Sequence, residues 1–386
     1  MPISVVRAFR KTPSIMRVSL LASILLLYSL PVFCQQPSPV DSLPAHPPSR
    51  NLLAFPFVVR SLETDWGFGG ITARFFKLDN KRTARSHDTL IRTSDVNILA
   101  LYTLKKQLIF VLNSTLFFPK EERIARFQAS YSYYPDKFWG LGNHTSFQAE
   151  EPFTQKQFFV NPQFLQRIHR KLYIGLTYEF QHSGSVSYRS GGIFDKENIV
   201  GRYGGNTSGI GPILSWDTRN NAYSPDHGVF AEIQYVLFDQ HIGSDFDFQV
   251  FSLDFRKFFH LSERSVLALQ GIAGLTAGNT PFRKLEELGG SDMMRGYYAG
   301  RFTDKCLTAY QAEYRRQLFW RIGMVAFAST GEVSPDLSHF GLDGFHYAYG
   351  GGLRFMLSKE EKLNLRVDYG LAKHSNAFNV QLREAF

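Results

Sequence analysis

From Lys362 to Leu371 the chain alternates without a break. Leu363, Leu365, Val367, Tyr369 and Leu371 are apolar, while Lys362, Asn364, Arg366 and Asp368 stand between them. A period of two places the two sets on opposite faces of a β-strand, one suited to an apolar medium and one to water. The pattern recurs at Val229, Ala231, Ile233, Tyr235 and Leu237 against Glu232 and Gln234, and at Val96, Ile98, Ala100, Tyr102 and Leu104 against Asp95 and Asn97. Between Phe246 and Phe255 the apolar set changes phase near Val250-Phe251, which predicts a bulge or a mixed interior.

Soluble β-sandwiches alternate as well, so the period alone does not select a class. Aromatic residues make up 15% of the chain and cluster near predicted strand ends, at Tyr131-Ser-Tyr-Tyr134, Phe158-Phe159 and Phe258-Phe259. That distribution fits the interfacial girdles of a membrane barrel. Uncharged runs beyond residue 51 fall short of the roughly 20 residues a membrane-crossing helix needs, so strands must do the crossing.

Segmenting the alternation predicts an all-β transmembrane antiparallel barrel of about sixteen strands. The predicted strands are 52–61, 66–78, 90–104, 106–118, 122–134, 151–168, 171–188, 203–219, 227–240, 246–259, 264–277, 305–317, 319–331, 342–357, 362–371 and 376–386. With both ends on the periplasmic side, the longest connection, 278–304, becomes the sixth extracellular loop.

Residues 1–34 place Arg7, Arg10, Lys11 and Arg17 ahead of an apolar run from Val18 to Leu30, the plan of a secretory signal peptide cleaved after Cys34. Thirteen apolar-run residues with three serines among them are too few for a transmembrane anchor. A lipid anchor on Cys34 is the rival reading, and Phe33, where a small residue is required, argues against it. Residues 35–51 carry five prolines and read as a periplasmic linker, leaving 52–386 as the barrel.

The formal charge of +9 includes four cations and no acids in residues 1–34, so the remainder is near +5, too mild to point to nucleic acid. Cys306 is then the one cysteine left, and no intramolecular disulfide is predicted. No nucleophile elbow, zinc-protease helix, phosphate loop or Cys/His metal spacing occurs, so no catalytic residue, metal or cofactor is predicted. His87, His144, His241, His339 and His374 fall in predicted loops, where a Ser/His/Asp set could assemble, but scattered loop histidines are usually solvated.

One stretch stands out: Leu288-Gly-Gly-Ser-Asp-Met-Met-Arg-Gly-Tyr-Tyr298, followed by Ala309-Tyr-Gln-Ala-Glu-Tyr-Arg315. It resembles the sixth-loop motif of the BamA/TamA-type bacterial surface antigen superfamily. Further blocks resemble the same group in the same order: Glu63-Thr-Asp-Trp-Gly-Phe-Gly69, Tyr134-Pro-Asp-Lys-Phe-Trp-Gly-Leu-Gly142, Ser215-Trp-Asp-Thr-Arg219 with Tyr223-Ser-Pro-Asp-His-Gly228, Tyr349-Gly-Gly-Gly-Leu-Arg-Phe355 and Asp368-Tyr-Gly370.

The resemblance implies that the loop folds back into the lumen, with Arg295, Gly296 and Tyr297 at its tip, Glu313 as partner of Arg295, and Gly289 and Gly290 at the turn. Its second carboxylate partner belongs in Phe-x-Asp-x-Gly, where this chain has Phe327-Ala-Ser-Thr-Gly331. Ser329 therefore stands in the place of the acid, with Glu332 as a substitute. The glycine that kinks the last strand of the insertases is replaced by Arg383. Both departures count against a barrel that opens between its first and last strands. Phe378, Val380, Leu382 and terminal Phe386 resemble the signal that outer-membrane assembly machinery reads in its clients.

The implied function is insertion or translocation of proteins, or lipids, at the outer membrane of a Gram-negative bacterium, by a short member without POTRA domains. The implied partners are outer-membrane lipids, the assembly machinery, client proteins and a separate periplasmic receptor. The alternative is a passive pore or structural barrel that keeps the scaffold alone.

Overall fold

The computed structural model describes residues 52–78, 92–222, 224–358 and 362–386. The predicted signal peptide and linker, His87 and Tyr223 lie outside the described residues. One antiparallel sheet of sixteen strands forms the barrel wall. Its strands are β1 (Leu52–Ser61), β2 (Asp65–Phe76), β3 (Ser94–Thr103), β4 (Leu108–Phe117), β5 (Arg123–Phe138), β6 (Glu151–His169), β7 (Leu172–Tyr188), β8 (Gly205–Asp217), β9 (Gly228–Phe238), β10 (Phe248–Ser262) and β11 (Ser265–Gly278), then β14 (Cys306–Phe319), β15 (Ile322–Ser334), β16 (His346–Ser358), β17 (Leu363–Ala372) and β18 (Ser375–Leu382). Between β11 and β14 a separate two-stranded ribbon, β12 (Glu286–Leu288) with β13 (Phe302–Asp304), gives the sixth loop its own hairpin.

Alternation sorts the side chains as the pattern predicts. In β17 Asn364, Arg366 and Asp368 are buried toward the lumen while Tyr369 and Leu371 are exposed outward. Outward Ile98, Tyr102, Phe110, Leu176 and Leu237 are likewise exposed, as a lipid-facing wall requires.

Several predicted boundaries shift, each for a local reason. β5 runs on to Phe138, because Pro135 stays in register opposite Thr154. β16 begins at His346 rather than 342, since Leu342–Gly344 form a 3-10 turn. β18 ends at Leu382 rather than 386, because Arg383 adopts φ 70° and the chain leaves the wall. β10 carries no bulge near Val250: its register against β9 and β11 is continuous there, and the phase change reflects a mixed interior in which Phe248 and Val250 face inward.

Candidate functional site: the inward loop and the seam

The sixth loop is a folded element. Its ribbon brings Leu288 and Phe302 side by side, and Gly289 and Gly290, at φ 123° and 105°, turn the chain inward. A side chain at Gly289 would place its Cβ 2.1 Å from the Tyr298 carbonyl oxygen. Leu288, Met293, Met294, Tyr297 and Phe302 form an apolar core with Ile272, Leu307, Val333 and Ala348 of the inner wall. Burial of these side chains, worth about 1.5–3 kcal/mol each, holds the loop body inside the barrel.

The tip presents Arg295 to that wall. Its Nη2 donates to Glu313 Oε2 at 2.6 Å and its Nη1 to Asp368 Oδ2 at 2.8 Å, and the guanidinium lies 3.6 Å from the Phe327 ring centre. All three ionised groups are fully buried. The neighbours continue the pattern. Arg315 Nε donates to Glu313 Oε1 at 2.7 Å, Arg354 bridges Asp368 (2.5 Å) and Glu384 (2.6 Å), and Arg366 meets Asp292 of the loop at 2.7 Å. Four guanidinium groups thus face four carboxylates, and the array is neutral as low dielectric demands.

Backbone contact is equally close. A Cβ on Gly370 would fall 1.5 Å from the Arg295 carbonyl oxygen, and one on Gly296 would fall 3.0 Å from the Leu371 carbonyl carbon. Gly370 therefore opens the space that the tip fills.

Of the residues the sequence singles out, Arg295 and Glu313 meet directly, and Gly296 and Tyr297 lie against β17 and the Phe302–His346 pair respectively. The second carboxylate is neither at position 329 nor Glu332. Ser329 Oγ donates to the Ala348 carbonyl, and Glu332 accepts from Gly341 N–H in the seventh loop. Asp368 supplies it from two strands further round the wall. The signal for it in the sequence is Asp368-Tyr-Gly370, whose pattern by itself marks only a closing strand.

Phe386 also departs from expectation: it does not extend β18. It turns back over the lumen, buried against Phe258 and Ala268, and its main-chain oxygen accepts from Arg315 Nη2 at 3.1 Å. His241 and His339 each bond the aspartate capping their own turn, and the His374 ring packs against Phe147.

The loop also closes the extracellular mouth. Tyr298 Oη donates to Asp136 at 3.0 Å, Ala299 N–H to Glu63 at 3.2 Å, and Arg301 to Thr145 Oγ1 at 2.7 Å. These contacts reach the first hairpin, the wall at β5 and the third loop.

The last feature is the seam between β1 and β18, the two ends of the ordered ladder. In β18, Ala377 and Asn379 face the lumen and Phe378 and Val380 face away from it, yet Val380 is only 8% exposed. The cover comes from the first strands. Phe378, Val380, Leu365 and Val367 join one apolar cluster with Phe57, Leu99, Leu101, Ile109 and Val111, which point into the lumen. The outer face of the last hairpin thus packs on the inner face of the first strands, as an overlap rather than a flush join. Among the described residues no ladder pairs β1 with β18.

An inward loop pinned by an arginine and a sixteen-strand wall define a class. The Omp85 superfamily domain matches residues 125–382, and the chain belongs to that superfamily of outer-membrane barrels. Among solved structures it resembles BamA from Haemophilus ducreyi lacking POTRA domains 1–3, at 12% identity and a TM-score of 0.57 over 86% of this chain and 69% of that one. It also resembles CdiB from Escherichia coli, at 11% identity and a TM-score of 0.59 over 88% and 63%, and CdiB from Acinetobacter baumannii, at 12% and 0.57 over 86% and 60%. A comparison with curated proteins finds no match.

Proposed function

We propose that this barrel acts in insertion or translocation of proteins at the outer membrane by opening between β1 and β18. The observation that carries the reading is the overlap at the seam. An insertase needs a strand edge whose backbone donors and acceptors a client strand can pair with. Here apolar side chains hold the last hairpin against the first strands, and among the described residues no ladder pairs β1 with β18, so parting them gives up apolar contacts rather than a paired ladder. The structure supplies counterparts for both sequence departures. Asp368 restores the second arm of the arginine lock, and Arg383 bends the chain where a kinking glycine would.

Cysteines at Phe57 and Val380 in a Cys306→Ser background test the reading. Oxidation is expected to abolish activity in a membrane-integrity complementation assay and reduction to restore it. Full activity of the oxidised protein would leave the passive barrel as the better description.

A further inference from the structure

At the periplasmic end two neighbouring turns carry an unbalanced charge. The β4–β5 turn and the first residue of β5 bring Lys120 and Arg123; the end of β6 and the turn into β7 bring Arg167, Arg170 and Lys171. The acids do not cancel them evenly. Glu121 is buried and engaged by Arg92 Nε at 3.3 Å and Lys171 Nζ at 2.6 Å, which leaves Glu122 as the exposed carboxylate of these two turns, against exposed Lys120, Arg123 and Arg170.

The turns are held together as a built surface. Arg167 Nη1 donates to the Lys120 carbonyl at 2.6 Å, Arg167 N–H donates to the Glu122 carbonyl at 2.8 Å, and Arg123 Nε donates to Gln166 Oε1 at 3.1 Å. Directly above, on the same outward face, stand Phe127, Phe164, Ile168, Ile174 and Leu176, each exposed. An apolar wall of hydrocarbon depth therefore ends in a fringe of guanidinium and ammonium groups at headgroup depth.

We propose that this fringe is a binding site for anionic phospholipid of the periplasmic leaflet, with the phosphodiester held by Lys120, Arg123 and Arg170 and the acyl chains lying along β5–β7. Guanidinium groups match phosphate oxygens in pairs, and the strand faces supply the apolar contact that a free phosphate would not use. The site rests on the barrel's surface and not on the seam, so it stands or falls apart from the insertion reading.

The test uses the full chain reconstituted in phosphatidylcholine nanodiscs containing phosphatidylglycerol, released for native mass spectrometry, with retained lipid counted. The wild type is expected to retain phosphatidylglycerol over phosphatidylcholine, less so as ionic strength rises. Each charge removed should lower that preference about fivefold, so the Lys120→Gln, Arg123→Gln, Arg170→Gln triple variant should lose nearly all of it. A control at the opposite rim, Lys105→Gln with Lys106→Gln and Lys373→Gln, should keep it. Equal retention of the two lipids by wild type would overturn the proposal. So would a triple variant that runs as a folded barrel in unheated gels and keeps the preference.

Discussion

Arg295 is held from two sides, and that duplication sets what each substitution should cost. Glu313 keeps Arg315 when Arg295 is lost, and Asp368 keeps Arg354, so neither carboxylate is stranded. Removing one member of a buried pair costs about 3–5 kcal/mol when its partner is left alone. Arg295→Ala and Glu313→Ala should each fall at the low end, about 3 kcal/mol, and the double variant should lose less than the sum. Strictly additive losses in thermal unfolding would show that the two do not act as a pair. Glu63, outside the strands, runs the other way. Burial pushes its carboxyl up, against hydrogen bonds from Ser61 and the Ala299 N–H that pull it down. The folded state then binds the proton more tightly than the unfolded chain, so the ionised group destabilises at neutral pH, and stability rises as pH falls through the raised value. Glu63→Gln should therefore unfold at a higher temperature than wild type at neutral pH, with the gap closing in acid. A lower midpoint at neutral pH would sink that reading.

Among the elements, β17 shows how much of the site the sequence carried. Its alternation predicted the strand to within a residue at each end, because Leu363 to Leu371 obey one period throughout. The identity of Asp368 as a partner of Arg295 was not legible, since the pairing spans 73 residues and depends on how far the loop tip reaches across the lumen. The β12–β13 ribbon was missed for a related reason. Three-residue strands carry no readable period, and their burial on every side comes from the barrel around them. Gly370 ties these elements together. Gly370→Ala would drive a methyl group into the Arg295 carbonyl, so the loop tip must retreat from the wall. A loss of about 3 kcal/mol is expected, together with new tryptic cleavage after Arg283, Lys284 or Arg295 in the detergent-solubilised barrel. An unchanged cleavage pattern would mean that β17 yields instead and that the tip does not depend on this glycine.

For the whole molecule, strand count and loop order were the most legible quantities, and the meeting of the two ends the least. Counting alternating segments placed the long connection sixth because each hairpin reverses direction, a constraint that requires no knowledge of side-chain contacts. The overlap at the seam has no such signature. Phe378 and Val380 alternate like any outward pair, and only the packing of Phe57, Leu99 and Leu101 against them shows that the hairpin lies inside the wall. The stability of the molecule follows from the ladder more than from this overlap. Among the described residues, fifteen strand pairings in one continuous antiparallel sheet leave only the two end strands without a second ladder, and the loop core and the ion pairs of Arg295 and Arg366 tie the sixth loop to the inner wall. In a membrane or micelle, separating any internal pairing exposes donors and acceptors to hydrocarbon at several kcal/mol per group, so the wall should resist SDS until it is heated. The unheated protein is expected to run as a compact, faster band and to shift to slower migration on boiling. Arg295→Ala should lower the temperature of that shift without abolishing it, because the lock adds to a wall that is already continuous. Identical migration with and without heating would refute the account of stability given by the ladder, and an unheated Arg295→Ala protein that already runs as the slow form would place the loop, not the wall, at its centre.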